Sequence, residues 1–206
     1  MTGSCGGPLG NSNEYSSIQM TYQYILEAFP RLGRVPTLHE MEKELHLSRD
    51  CIAGTMESLE AEGSLRHDPT TLRIMDACPY SAVPTRHGVV LGDRRHVYCM
   101  SAIDAFSVPF LTKSDVTIHS RCFYCQAHIR ISVAQSKVSM AKPATSVIWD
   151  SASSYDWPKT NFFCSEAHLR RWRGNAPGKS GQVCGLDTAL GRGRKAANRI
   201  RQSVGV

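Results

Sequence analysis

The chain has 206 residues, 41% apolar and 20% charged, the make-up of a globular protein of one ordinary domain or a small domain beside a medium one. No apolar run is long enough to span a bilayer, and eight cysteines over this length are too sparse for a secreted disulfide scaffold. The net charge of +6 is unevenly spread: nine acids face four bases between residues 14 and 62, while bases collect at Arg170, Arg171, Arg173, Arg192, Arg194, Lys195, Arg199 and Arg201.

Residues 1–16, rich in Gly, Ser and Asn, predict a disordered tail without the basic and apolar regions of an export signal, so the expected compartment is the cytoplasm. Ile18, Tyr22, Ile25, Leu26 and Phe29 have helical spacing and predict a helix over 17–29, closed by Pro30 and Gly33. Thr37 and Glu40 form a capping-box pattern ahead of Leu38, Met41 and Leu45. Ser48 caps a third helix with Ile52, Met56 and Leu59 on one side and Gly63 after it, and residues 64–75 predict a hairpin turning at Asp68-Pro69. Three helices and a hairpin make a winged-helix-like domain over 17–75. Its third helix carries Glu57, Glu60 and Glu62, which repel phosphate, so DNA is not its expected partner.

From residue 76 the pattern turns to short strands: a hairpin around Gly92-Asp93, alternating strands over 115–122 and 127–135, and another over 145–150. Residues 151–159 and 174–182 predict loops. "NFFC" leads into a helix capped by Ser165, and residues 185–202 predict a last helix. The fold class is therefore α+β: a winged-helix-like domain, then a small mixed β-sheet domain with flanking helices over 76–206.

Two groups carry chemistry. "CMSAIDAF" holds Cys99, Ser101 and Asp104 within six residues of an apolar run. If a helix starts after Ser101, Ser101 and Asp104 share a face, and a thiol just ahead of a helix N-terminus is favoured as thiolate. A buried helix with small residues allowing close packing explains the same stretch. The second group is Cys122 and Cys125 with Cys164 and His168. A C-x2-C pair joined by Cys and His four apart at a helix start is a four-ligand set suited to zinc; two buried thiols and a surface histidine are the plainer account.

The stretch from Asp76 to Leu111, with Pro79-Tyr80-Ser81, Pro84-Thr85, His87 and Val89 ahead of "YCMSAIDA", resembles the organomercurial (alkylmercury) lyases, and "NFFCSEAHLRRW" is similar to that family's second cysteine motif. The resemblance covers roughly residues 18–200. It implies protonolytic cleavage of a carbon–mercury bond in a small organomercurial substrate, with no cofactor required. Two thiolates hold mercury and a carboxylate handles the proton that ends on the departing carbon. Asp104 falls on the family's aspartate and Cys164 on its second cysteine, while Ser101 stands where the family has its first. Three accounts of Ser101 stay open: Cys99 stands in for the missing thiol, the serine is an engineered trap, or the site serves another substrate in a diverged, zinc-binding enzyme. A non-enzymatic metal-binding or DNA-binding regulator is the remaining class.

Overall fold

The computed structural model describes residues 10–151, 160–175 and 180–205, and its elements are those of an α+β protein. Helix α1 (Gly10–Leu32) begins earlier than the pattern predicts, so residues 10–16 belong to it rather than to a tail; residues 1–9 lie outside the described part. Pro30 does not stop α1. A proline this close to the end removes one N–H bond from the last turn, and the buried Ala28 and Phe29 anchor that turn until Gly33, at φ +67°, ends it.

Helix α2 (Leu38–Leu45) has the predicted capping box: Glu40 N donates to Thr37 Oγ1, and Thr37 N donates to Glu40 Oε2 at 2.7 Å. Helix α3 (Arg49–Ala61) starts at Ser48, whose hydroxyl accepts from Cys51 N, and buries Ile52, Met56 and Leu59. These side chains meet Tyr22, Ile25, Leu26 and Phe29 of α1 in the core.

The hairpin of β1 (Leu65–His67) and β2 (Ile74–Ala77) turns where Asp68 accepts from the N–H groups of Thr70 and Thr71. It runs straight on into β3 (Tyr80–Ser81), β4 (His87–Leu91), β5 (His96–Cys99), β6 (Val116–Arg121), β7 (His128–Ala134) and β8 (Lys137–Lys142) as one sheet, ordered β1-β2-β3-β5-β4-β6-β7-β8. The division expected between residues 75 and 76 therefore falls inside β2. The sheet expected to be mixed is antiparallel at every described pairing, because tight turns, which can only join antiparallel neighbours, supply most of its connections.

A second sheet, ordered β10-β9-β11, is built from β9 (Val147–Ser151), β10 (Thr160–Phe163) and β11 (Gly181–Cys184). β8 and β11 were not predicted as strands. β8 is short, with only Val138 and Met140 alternating with polar neighbours and no residue fully buried, and β11 buries one residue, Cys184, so both signals are weak. Of the loop predicted over 151–159, Ser151 ends β9 and residues 152–159 lie outside the described part.

Helix α4 (Ala102–Thr112) leaves the end of β5, and α6 (Leu186–Ser203) packs along it. Gly193 of α6 makes this approach: a Cβ there would lie 2.5 Å from the Phe106 carbonyl carbon. The Arg192–Asp150 ion pair ties α6 to β9, and the Arg201 guanidinium donates to the Phe110 carbonyl. Helix α5 (Glu166–Gly174) follows β10. The two candidate sites thus sit where strands end: one where β5 enters α4, the other where the β6–β7 turn meets the β10–α5 junction.

Candidate active site and candidate metal centre

Cys99 closes β5 on its buried side and is fully enclosed. Burial, then the nearby Asp104 carboxylate and the Cys78 thiol, hold the Cys99 thiol well above its ordinary range, so it rests protonated. Thr85 fixes this strand end by donating to the Cys99 carbonyl at 2.7 Å, and its hydroxyl also accepts from His87 N at 3.1 Å. His87 is buried and lies 3.3 Å from the Ser120 hydroxyl; burial, then Arg86, lowers its pKa to about 3, so it is neutral in this setting.

Ser101 is the N-cap of α4. Its hydroxyl accepts from Asp104 N at 3.2 Å, the role that serine fills at helix starts for purely structural reasons. Asp104, half-buried in the first turn, lies within electrostatic reach of Cys99 and of the Tyr22 phenol, which donates to the Cys78 carbonyl at 2.9 Å. Burial, then the Cys78 thiol, pushes the Tyr22 pKa up. Sequence reading did not connect Tyr22 and Cys78 to this junction; Cys78 lies in the turn between β2 and β3, and the pairing of β3 with β5 brings that turn near the end of β5.

The metal-ligand pattern is assembled at the other end of β10. The β6–β7 turn is closed by Cys122 N donating to Ala127 O and Gln126 N donating to Cys122 O, with Gln126 in the left-handed region at φ 62°. Phe123 N donates to Phe162 O at 2.9 Å and pins the turn to β10. Ser165 caps α5 by accepting from His168 N, which orients the first turn so that Cys164 and His168, four apart, share a face.

The ligand atoms of Cys122, Cys125, Cys164 and His168 all lie within 4.8 Å of one another. Cys125 Sγ is 3.7 Å from Cys164 Sγ, and His168 Nδ1 is 3.0 Å from Cys164 Sγ and 3.9 Å from Cys122 Sγ. Sulfurs 2.3 Å from a tetrahedral zinc are about 3.8 Å apart, so the observed edge matches. Burial raises the Cys122 thiol, but backbone groups of Cys125 and Cys164 and the His168 ring outweigh it and bring the pKa down to about 6. Cys164, buried and facing both other sulfurs, is pushed up to about 12. Phe123, Phe163, Trp149 and Trp172 meet edge-on or tilted in a chain of rings next to these segments, with ring centroids 5.3–6.1 Å apart.

The sequence-predicted residues therefore fall into two groups. Cys99, Ser101 and Asp104 gather at the head of α4; Cys122, Cys125, Cys164 and His168 gather at the β10–α5 junction. Thr160, at the start of β10, accepts from Ile103 N at 3.1 Å, and Cys164 lies four residues further along, roughly 13 Å of extended chain. The head of α4 is thus tied to the first residue of β10, while Cys164 follows its last.

Among curated proteins, no sequence matches the chain. The crystal structure of the mercury-bound form of MerB2 superposes with a TM-score of 0.72 at 21% identity, over 90% of this chain and 99% of that one, which establishes a shared fold. Residues 80–198, which run from the β3 motif through both site-bearing segments and make up more than half of the chain, match the sequence pattern of MerB, alkylmercury lyase, and the chain belongs to the alkylmercury lyase family.

Proposed function

We propose that this protein cleaves the carbon–mercury bond of a small organomercurial by protonolysis at the head of α4, and that Cys122, Cys125, Cys164 and His168 hold a structural zinc ion away from that chemistry. The observation that carries the lyase reading is the family match over residues 80–198, inside which the last residue of β5, Cys99, and the first turn of α4, with Asp104, bring a thiol and a carboxylate to one strand-to-helix junction. The zinc reading is supported by the spacing of the four ligand atoms.

The chemistry follows from softness and proton position. A thiol captures mercury in preference to any hard oxygen donor, and coordination strips its proton. Asp104 is placed to take that proton and deliver it to the carbon as the carbon–mercury bond breaks, which is general acid work. Ser101, a hard donor already engaged with Asp104 N, shapes the helix start and is not a mercury ligand. With Cys164 bound to zinc, the reaction draws on thiols at the head of α4.

The test is release of benzene from phenylmercury by zinc-loaded protein. Native protein is expected to release it, and Asp104→Ala to bind phenylmercury without doing so. Native protein inert to phenylmercury would remove the lyase reading. One observation favours a second reading, a diverged enzyme of the same fold with another substrate: the family's first thiol position is Ser101, a helix cap, and Cys99 is fully enclosed. Zinc bound at one per chain together with inertness toward mercurials is the result that would select it.

A further inference from the structure

We propose that the cavity between the C-terminal ends of α1, α4 and α6 and the β4–β5 turn binds a linear aliphatic carboxylate that carries a carbonyl oxygen at its other end. None of Cys99, Ser101 and Asp104 lines this cavity, and the inference does not rest on the lyase reading.

The cavity measures about 540 Å³, within the range of small-molecule sites. Its walls are aliphatic: Leu26 and Pro30 of α1, Leu91 of β4, Leu111 of α4, and Ile200 and Val204 at the end of α6. Tyr80 forms the floor. It has no exposed surface, and its hydroxyl is a buried polar atom without a hydrogen-bond partner among the described residues. Buried hydroxyls in folded proteins are nearly always paired, so an orphan at the floor of a cavity marks a place for an acceptor from outside.

The sheet register shows which part of Tyr80 reaches the cavity. Its backbone pairs with Cys99, the last residue of β5. The hairpin residues that line the cavity, among them Asp93 and Arg95, precede β5, and Arg95 is four residues from Cys99, roughly 13 Å of extended chain. The Tyr80 ring spans the difference, stacked on Phe29 of α1 with centroids 5.2 Å apart, and Phe29 adjoins the wall residue Pro30. The hydroxyl is the far end of that ring. Burial, then Cys99 and Tyr22, raises the pKa of the phenol, so it stays protonated and offers a donor.

The rim is cationic. Arg31, Arg95, Lys113 and Arg201 line the cavity against two acids, Glu27 and Asp93, and Asp93 is already paired with Arg95. Arg31 and Lys113 are exposed and have no acidic partner among the described residues. A ligand that meets all three features has an anion at its outer end, an alkyl chain along the walls, and a neutral acceptor at its inner end. A carboxylate suits the rim, and a ketone or ester carbonyl accepts from Tyr80 without bringing a proton that would itself go unpaired.

The test is calorimetric titration of the full chain with three probes of similar length. Monomethyl sebacate has both polar ends, laurate lacks the inner carbonyl, and dimethyl sebacate lacks the charge. Native protein is expected to bind monomethyl sebacate at one per chain and about tenfold more tightly than either control. Tyr80→Phe keeps the ring and its stack. It is expected to bring monomethyl sebacate down to the affinity of laurate and to leave laurate unchanged. Lys113→Glu is expected to weaken both carboxylates and to spare dimethyl sebacate. Without ligand, Tyr80→Phe is expected to melt no lower than native protein, because the hydroxyl has no bond to lose.

Native protein that does not bind monomethyl sebacate, or binds it no better than laurate, overturns the inference. So does a Tyr80→Phe protein that keeps the preference for the ester. A lower melting temperature of unliganded Tyr80→Phe also overturns it, since the hydroxyl would then be paired within the fold. Uptake of several laurates per chain in place of one is surfactant binding and counts against it as well.

Discussion

Ser101 has two chemical identities that pull in opposite directions. As a serine it is a good helix cap and a poor mercury ligand; as a cysteine it would be the reverse. Ser101→Cys is therefore expected to raise benzene release from phenylmercury, by setting a soft donor beside Asp104, while lowering the melting temperature through loss of about 1 kcal/mol of capping. Ser101→Ala separates the effects: the same loss of stability with no gain in rate. Turnover and melting measured on the three proteins decide it. His87 supplies a pH test. Its pKa is about 3 in the fold, against 6.5 for the free side chain, so the unfolded chain binds the extra proton first as pH falls. The stability it contributes is complete above about 6.5 and is lost progressively between 6.5 and 3. His87→Gln is expected to flatten the fall of the unfolding free energy across that window in urea titrations.

Among elements, the α4–α6 pair depends on one missing side chain. A methyl group at Gly193 would meet the Phe106 carbonyl carbon, oxygen and Cβ at 2.5–2.7 Å, and none of these belongs to a flexible side-chain end. Gly193→Ala is expected to destabilise the protein by about 1–3 kcal/mol through overpacking, against a propensity gain of under about 1 kcal/mol for alanine in a helix. Gly191→Ala on the same helix has nothing within 4 Å of its Cβ and is expected to stabilise; denaturant midpoints compare the two. The elements that could be read from sequence were those with local signals. The capping residues Thr37, Ser48 and Ser165 and the turns at Asp68 and Gly92 mark their element ends by chemistry confined to a few neighbours. β8 could not be read because its partner β7 supplies its order, and α1 overran its predicted limits because a terminal-turn proline is tolerated where the side chains around it are buried.

At the scale of the whole molecule, the ligand set Cys122, Cys125, Cys164 and His168 was legible because C-x2-C and C-x3-H are local patterns whose meeting needs only one long contact. Which of its two expected roles, catalysis or metal binding, Cys164 is placed for was not readable from sequence. Whether a strand carries its last residue toward α4 or away from it depends on its packing, set here by Phe123 N on Phe162 O and Ile103 N on Thr160 Oγ1. If zinc holds the junction, it joins segments 39 residues apart, and a chelator strong enough to remove it is expected to lower the melting temperature and open Trp172 to quencher, with both effects reversed by zinc alone.

Cys125 stands exposed at the rim of its cluster while the sulfurs of Cys122 and Cys164 are enclosed. Three sulfurs that suit zinc suit mercury better, because thiolate donors favour the softer ion. If the proposed lyase releases Hg(II), this cluster is a second destination for its product, with the exposed Cys125 sulfur as the point of attack, and the lifetime of the catalyst would then depend on how fast an outside thiol carries the ion away.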